Sequence, residues 1–341
     1  MTSAADPARA VTPVVRLAPA KVNLTLAVVG RRDDGYHALH TVMAPLELAD
    51  RLTIAVDPSP GVRDSLHVDG FDAGPDADNL VLRAIGATRR ALRGRLAGEP
   101  PALAVRLDKR IPVAAGLAGG SSDAAAAIDG ALEAWRANAE VTAEERSGLA
   151  ASVGSDVPFF LAGGPALVEG RGERVTPLHG LRLGGGEARP GLLLVTPAVA
   201  AHTAAVFAAW AEGAMSAPGV AARSSEHFAS EFGSGLTAHQ LLERAGVLAA
   251  ANDLLPAAAV VVEGLVPFRR ALMRLLTRPI GLSGSGPTLW ALYPSLDDAD
   301  LAASSVQAAV GTGFVTAPGD GPPFVAATTF LTTDPAERSD R

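Results

Sequence analysis

Ile111-Pro-Val-Ala-Ala-Gly-Leu-Ala-Gly-Gly-Ser-Ser-Asp123 sets Gly116, Gly119, Gly120 and two hydroxyls directly ahead of a helix-forming run. Glycine lets a backbone approach an anion closely and turn its N–H groups inward, and the helix that follows adds the positive end of its dipole. The stretch therefore reads as a loop for nucleotide phosphates, set against the plainer alternative of a strand-to-helix turn that binds nothing. It is not a G-x-x-x-x-G-K-[ST] loop, since no lysine lies in or just after it, and G-x-G-x-x-G is absent.

The flanks predict a strand-loop-helix unit. Ala102-Leu-Ala-Val-Arg-Leu107 alternates as a strand does, and Pro112 stops it. After the loop, Ala125, Ile128, Leu132 and Trp135 recur at helical spacing and form one apolar face, with the helix expected to fade near Asn138. Ser121 or Ser122 is expected to cap it, with Asp123 favourable in its first turn.

At 341 residues the chain is too long for one ordinary core and suits two domains. Its formal charge of -7 and the absence of a basic block argue against a nucleic-acid partner. Without cysteine there is no disulfide framework, thiol nucleophile or cysteine metal site, which fits a cytoplasmic protein. The first eleven residues lack the pattern of a signal peptide, and the apolar run Leu254 to Val262 is too short to cross a bilayer, so no membrane association is expected.

Lys21 and Lys109 are the two lysines among 29 basic residues, and a lysine that survives such a bias toward arginine points to a site needing a compact ammonium. In Leu17-Ala-Pro-Ala-Lys-Val-Asn-Leu-Thr-Leu26, Lys21, Asn23 and Thr25 share one strand face, either a solvated edge or the floor of a site. Arg31-Arg-Asp-Asp-Gly-Tyr-His37 reads as a hairpin turn with Gly35 at positive φ, and Tyr36 either flanks the turn or stacks on a base. Asp156, in Gly154-Ser-Asp-Val-Pro-Phe-Phe160, stands at a helix start as a cap, a base, or both. Gly281-Leu-Ser-Gly-Ser-Gly-Pro-Thr288, taken alone, is a packing turn before a strand.

In this order, P-A-K-x-N-L, D-G-Y-H, P-x-x-x-G-L-x-G-G-S-S, G-S-D-V-P-F-F and S-G-S-G-P-T resemble the GHMP kinases, small-molecule kinases named for galactose, homoserine, mevalonate and phosphomevalonate. The likeness spans residues 14 to 331 and is greatest to members that act on a cytidyl diphosphate methylerythritol, since the D-G-Y-H turn and G-S-D-V-P-F-F favour them. Ala114, Ala115 and Ala118 stand where such loops often carry glycine, so the strained positions are expected among Gly116, Gly119 and Gly120.

The resemblance implies an α+β, two-domain architecture: an N-terminal β/α ATP-binding domain over 12–185 and a C-terminal ferredoxin-like domain over 186–333, with substrate in the cleft between. Strands over Leu192 to Thr196 and Phe324 to Leu331, and helices over Ala204 to Trp210 and Phe268 to Leu276, suit that pattern. Gly184 to Gly186 marks a flexible junction, 57–79 a loop excursion, and 212–238 an insertion expected to be partly disordered. No internal repeat is visible. By the same resemblance the chain uses ATP and Mg2+, the phosphates being held along Pro112, Val113, Ala114, Ala115, Gly116, Leu117, Ala118, Gly119, Gly120, Ser121 and Ser122, with a serine hydroxyl near the metal. Asp156 would accept or orient the proton of the acceptor hydroxyl, with Lys21 against both. Asn23 would steady the substrate, Tyr36 would stack on cytosine and His37 would hydrogen-bond it. A second aromatic wall is expected near Val199 to Thr203, yet no aromatic appears before Phe207. Two other readings are a GHMP kinase for homoserine or a mevalonate-like acid, and a nucleotide-binding module without catalysis.

Overall fold

The computed structural model describes residues 12–59, 62–182, 188–213 and 220–331. One long strand organises the first half. Strands β1 (Val14–Asn23), β2 (Ala27–Arg31) and β3 (His37–Asp57) are followed by β4 (Ser65–Gly70), β5 (Ala102–Lys109), β6 (Ala166–Gly170) and β7 (Arg174–Pro177). At 21 residues β3 is long enough to pair antiparallel with β2 and β6 near its start, β1 along most of its length, and β5 near its end. Among the described residues these seven strands make one sheet. β4 pairs parallel with β5, so the region 57–79 is not a bare loop excursion but contributes a strand.

Helices α1 (Leu80–Ala91), α2 (Gly119–Ala134), α3 (Ala143–Val153) and α4 (Val157–Ala162) cover this sheet. α1 starts where the Asn79 side chain accepts the Val81 N–H, and α3 starts at a capping box of Thr142 and Glu145. Ile128, Leu132 and Trp135 pack with Leu52, Ile54, Leu103 and Leu107, as the helical spacing predicts. α2 ends at Ala134 with Trp135 as its C-cap, three residues before the expected Asn138.

The second half contributes β8 (Leu181–Arg182), β9 (Gly191–Thr196), α5 (Thr203–Glu212), α6 (Val220–Gly233), β10 (Leu236–Thr237), α7 (Ala238–Glu243), α8 (Ala245–Ala250), α9 (Leu255–Val261), α10 (Leu265–Leu276), β11 (Gly281–Leu282), β12 (Leu289–Tyr293), α11 (Leu296–Gly311) and β13 (Phe324–Thr329). Its antiparallel sheet runs β11-β12-β9-β13. β9 is buried at all six positions because both of its faces are covered. Leu193 and Val195 face the core with α9, α10 and α11, whereas Leu192 and Leu194 face a core shared with the first sheet.

That shared core joins Val22, Leu24, Val42 and Leu46 to Trp290, Leu292 and Phe330. It also takes Phe228, Ala229 and Phe232 from α6, so the described part of 212–238 is a packed helix rather than a disordered insertion. Residues 214–219 and the Gly184 to Gly186 turn lie outside the described residues. The whole is α+β.

Candidate active site

Between the two halves lies a cleft of about 440 Å³. Lys21, Asn23, Asp156, Phe207 and Ser285 line it, together with Pro112 to Gly116 and Ala118 to Ser121. Leu117 is buried in the shared core and Ser122 is buried outside the lining, so their side chains do not face the cleft.

Lys21 is on the floor. Its neighbours Ala20 and Val22 point into the shared core, which turns Lys21 and Asn23 the other way. That face is not a solvated edge: Lys21, Asn23 and Thr25 are all buried, the first two under the loops at 112–118 and 283–286 and Thr25 against Ser225 of α6. The Lys21 N–H donates to the Leu117 carbonyl at 3.1 Å, and its Nζ donates to Gly116 O at 2.9 Å and Asn23 Oδ1 at 2.6 Å. Burial pulls the ammonium below its usual pKa, and the Asp156 charge opposes this.

Asp156 Oδ2 stands 3.9 Å from Lys21 Nζ, with about a third of its side chain exposed to the cleft. Asp156 occupies the N-cap position of α4, but its side chain caps nothing, and Pro158 in the first turn needs no N–H partner. The carboxylate is thus committed to Lys21 and the cleft rather than to the helix.

The strain in the loop falls differently from expectation. Gly116 has φ +78°, but the other left-handed residues are Ala114 and Ala118, both at φ 53°, while Gly119 and Gly120 are already helical. Ala118, not Ser121 or Ser122, is the N-cap, and no side chain caps α2. Gly116 and Gly119 are needed for close packing. A Cβ on Gly116 would run into the Ser283 carbonyl, and one on Gly119 would come within 2.8 Å of Lys109 Nζ; at the exposed Gly120 it would meet little but Leu80 at 3.7 Å. The Ser283–Thr288 turn is therefore packed against the 112–118 loop as its second wall. Ser283 Oγ donates to Gly116 O at 3.0 Å, and the Thr288 N–H donates to Ala115 O at 3.3 Å.

Beneath the loop, Lys109 pairs with Asp50 and with Asp123 at 2.9 Å. Asp123 is not a dipole partner in the first turn: it is buried, reaches the cleft lining, and leaves Oδ1 without a hydrogen-bond partner. Burial, with the Asp50 charge adding to it and Lys109 opposing, pushes its pKa up to about 7. The sequence signal here was the second rare lysine. No group of three or more His, Cys, Asp or Glu suited to a metal occurs among the described residues.

At the other end, Phe207 supplies an aromatic wall. α5 starts at Thr203, so Phe207 and Trp210 return to the same face as Thr203 one and two turns later. His37 stacks on Phe207 with centroids 5.2 Å apart and planes at 15°, and Trp210 meets His37 edge-on. Burial, then Arg31, holds the imidazole below its usual pKa, hence neutral at pH 7. The hairpin places Gly35 at φ +84° as expected. Tyr36 does not reach the lining; it is half exposed, with the Arg171 guanidinium 5.3 Å over its ring.

A family model described as the GHMP kinases N terminal domain matches residues 79–164. The chain is 37% identical over 288 residues to a 4-diphosphocytidyl-2-C-methyl-D-erythritol kinase of Pelotomaculum thermopropionicum, covering 84% of this chain and 91% of that protein. It also matches a crystal structure of 4-(cytidine 5'-diphospho)-2C-methyl-D-erythritol kinase, with TM-score 0.63, 33% identity, and coverage of 93% of this chain and 99% of that one. A crystal structure of L. major mevalonate kinase in complex with R-mevalonate gives TM-score 0.64 at 18% identity, covering 94% of this chain and 98% of that one, a likeness of fold.

Proposed function

The chain belongs to the 4-diphosphocytidyl-2-C-methyl-D-erythritol kinases within the GHMP kinases, and we propose that it transfers the γ-phosphoryl group of ATP to the 2-hydroxyl of 4-diphosphocytidyl-2-C-methyl-D-erythritol. The observation that carries the reading is the Lys21–Asp156 pair, 3.9 Å apart, on the floor of a cleft with the glycine-bearing loop at one end and the Phe207 ring at the other.

ATP phosphates would lie along Pro112 to Ser121, facing loop amides at the head of α2. For Mg2+, the hard oxygens that fit are the Ser121 hydroxyl and Asp123, whose Oδ1 is buried without a partner; an ion that keeps most of its shell from phosphates and water needs no larger cluster. When bound, the ion neutralises charge on the phosphates. Lys21 donates to the acceptor oxygen and Asp156 takes its proton as the new O–P bond forms and ADP leaves. The transition state is loose, so placement counts for more than basicity. At the far end, Phe207 offers a flat wall for a pyrimidine and neutral His37 beside it a hydrogen bond, while Tyr36, outside the lining, would add a second ring face only from its exposed hairpin.

An aromatic end suits a cytidyl acceptor better than a short carboxylic acid. The test is ADP formation from ATP with the cytidyl substrate, homoserine and mevalonate assayed side by side. Turnover is expected with the cytidyl substrate alone, and turnover confined to either acid would reverse the assignment.

A further inference from the structure

We propose that Thr41 is a positioning residue for the transfer, acting through the Asn23 amide to decide which atoms face the Lys21 ammonium. The proposal rests on the reading that Lys21 serves the acceptor hydroxyl.

An ammonium has three N–H donors and no acceptor. Lys21 commits two of them, to Asn23 Oδ1 and to Gly116 O, which leaves the third for Asp156 and the acceptor. This geometry requires that Asn23 present oxygen to the lysine. The two ends of a carboxamide have nearly the same shape, so packing alone does not choose between them. With its NH2 group turned inward, Asn23 would set donor against donor and drive the ammonium off its position.

The choice is made one residue further away. Asn23 Nδ2 donates to Thr41 Oγ1 at 2.8 Å, and the Thr41 hydroxyl donates to the Thr25 carbonyl at 2.5 Å. A carbonyl has no proton to give, so it takes the single proton of the Thr41 hydroxyl. What Thr41 then offers Asn23 is a lone pair, and a lone pair is met by N–H. The sequence carbonyl, hydroxyl, carboxamide, ammonium thus has one consistent direction.

Bulk solvent does not reach these groups, since Thr25, Asn23 and Thr41 are 1%, 2% and 0% exposed. The carbonyl at the start of the relay is held as well: Thr25 Oγ1 accepts the Val42 N–H at 3.1 Å and bonds Ser225 Oγ of α6 at 2.7 Å. Thr41 does not line the cleft, so its influence on the reaction passes through Asn23.

The test is a double-mutant cycle on kcat. Thr41→Val keeps the shape and removes the hydroxyl; it is expected to lower kcat about tenfold while KM for ATP stays within about twofold, as for a lost orienting contact. Thr41→Ser, which keeps the hydroxyl, should restore most of that loss. In an Asn23→Ala background, Thr41→Val should cost nothing further. An equal loss in both backgrounds, or a Thr41→Ser enzyme as slow as Thr41→Val, would overturn the relay. Should Thr41→Val not fold, neutron diffraction from crystals of the unaltered protein decides. Deuterons on the Asn23 atom facing Thr41 are expected, and deuterons on the atom facing Lys21 would refute the proposal. A protein inactive on the cytidyl substrate would instead defeat the assigned function, and the neutron map would still report the amide.

Discussion

At the scale of single residues, buried charge lines the cleft. Lys21 and Lys109 are both buried, each beside carboxylate, and each lines the cleft. A buried ion pair is weak evidence for stability, since desolvation offsets its attraction, so placement at the cleft is the better account of why these charges are tolerated. Asp123 makes this measurable. Its folded pKa of about 7 lies above the usual 3.8, so between those values the folded state binds more protons than the unfolded chain. This group therefore contributes a fall in stability as pH rises from about 4 to about 7. Asp123→Asn removes that contribution while keeping an oxygen for Lys109. Thermal midpoints of the variant, compared with the unaltered protein, should rise relative to it across the window; parallel curves would show that Asp123 does not titrate there. Both lysines stood out by their rarity, but the Asp50 and Asp123 partners come from distant elements and had no local pattern to reveal them.

At the scale of elements, the loop ahead of α2 shows tertiary contact overriding local preference. Residues 102–107, the face of α2 and the Gly35 turn were legible because alternation, helical spacing and turn chemistry are local signals. The left-handed alanines were not, because the conformation of the loop is shaped by the Ser283–Thr288 turn packed against it. α6 was missed for a related reason: a Ser/Gly/Ala-rich composition suggested disorder, although Phe228 and Phe232 at helical spacing supply a buried face. Left-handed backbone costs a residue with Cβ about 1 kcal/mol, so Ala118→Gly is expected to stabilise the fold by up to about that amount. Urea denaturation would check it, and an equal loss of stability would mean that the φ of 53° is not strained in the protein.

At the scale of the whole molecule, the two sheets are not independent bodies. Leu192, Leu194, Trp290 and Leu292 share one core with Val22, Val42 and Leu46, and Leu331 N–H donates to Pro45 O across the same boundary. A cleft whose floor comes from the first sheet and whose second wall comes from the 283–288 turn needs that coupling to keep its geometry. Unfolding should accordingly be one transition, with far-UV circular dichroism and tryptophan fluorescence giving the same midpoint. Two separated transitions would show that the halves unfold alone. The order of motifs made the α+β architecture legible; the Phe207 wall, the shared core and the relay behind Asn23 depend on residues brought together only by the fold. In the proposed reaction Asp156 works on the acceptor and does not hold up α4. The most direct measurement is kcat with ATP and the cytidyl substrate for Asp156→Asn, read beside its thermal midpoint. Since Asp156 caps nothing and an amide keeps its size, we predict a loss of kcat of about 100-fold or more at an unchanged midpoint. Near-normal kcat in a folded Asp156→Asn protein would remove Asp156 from the reaction.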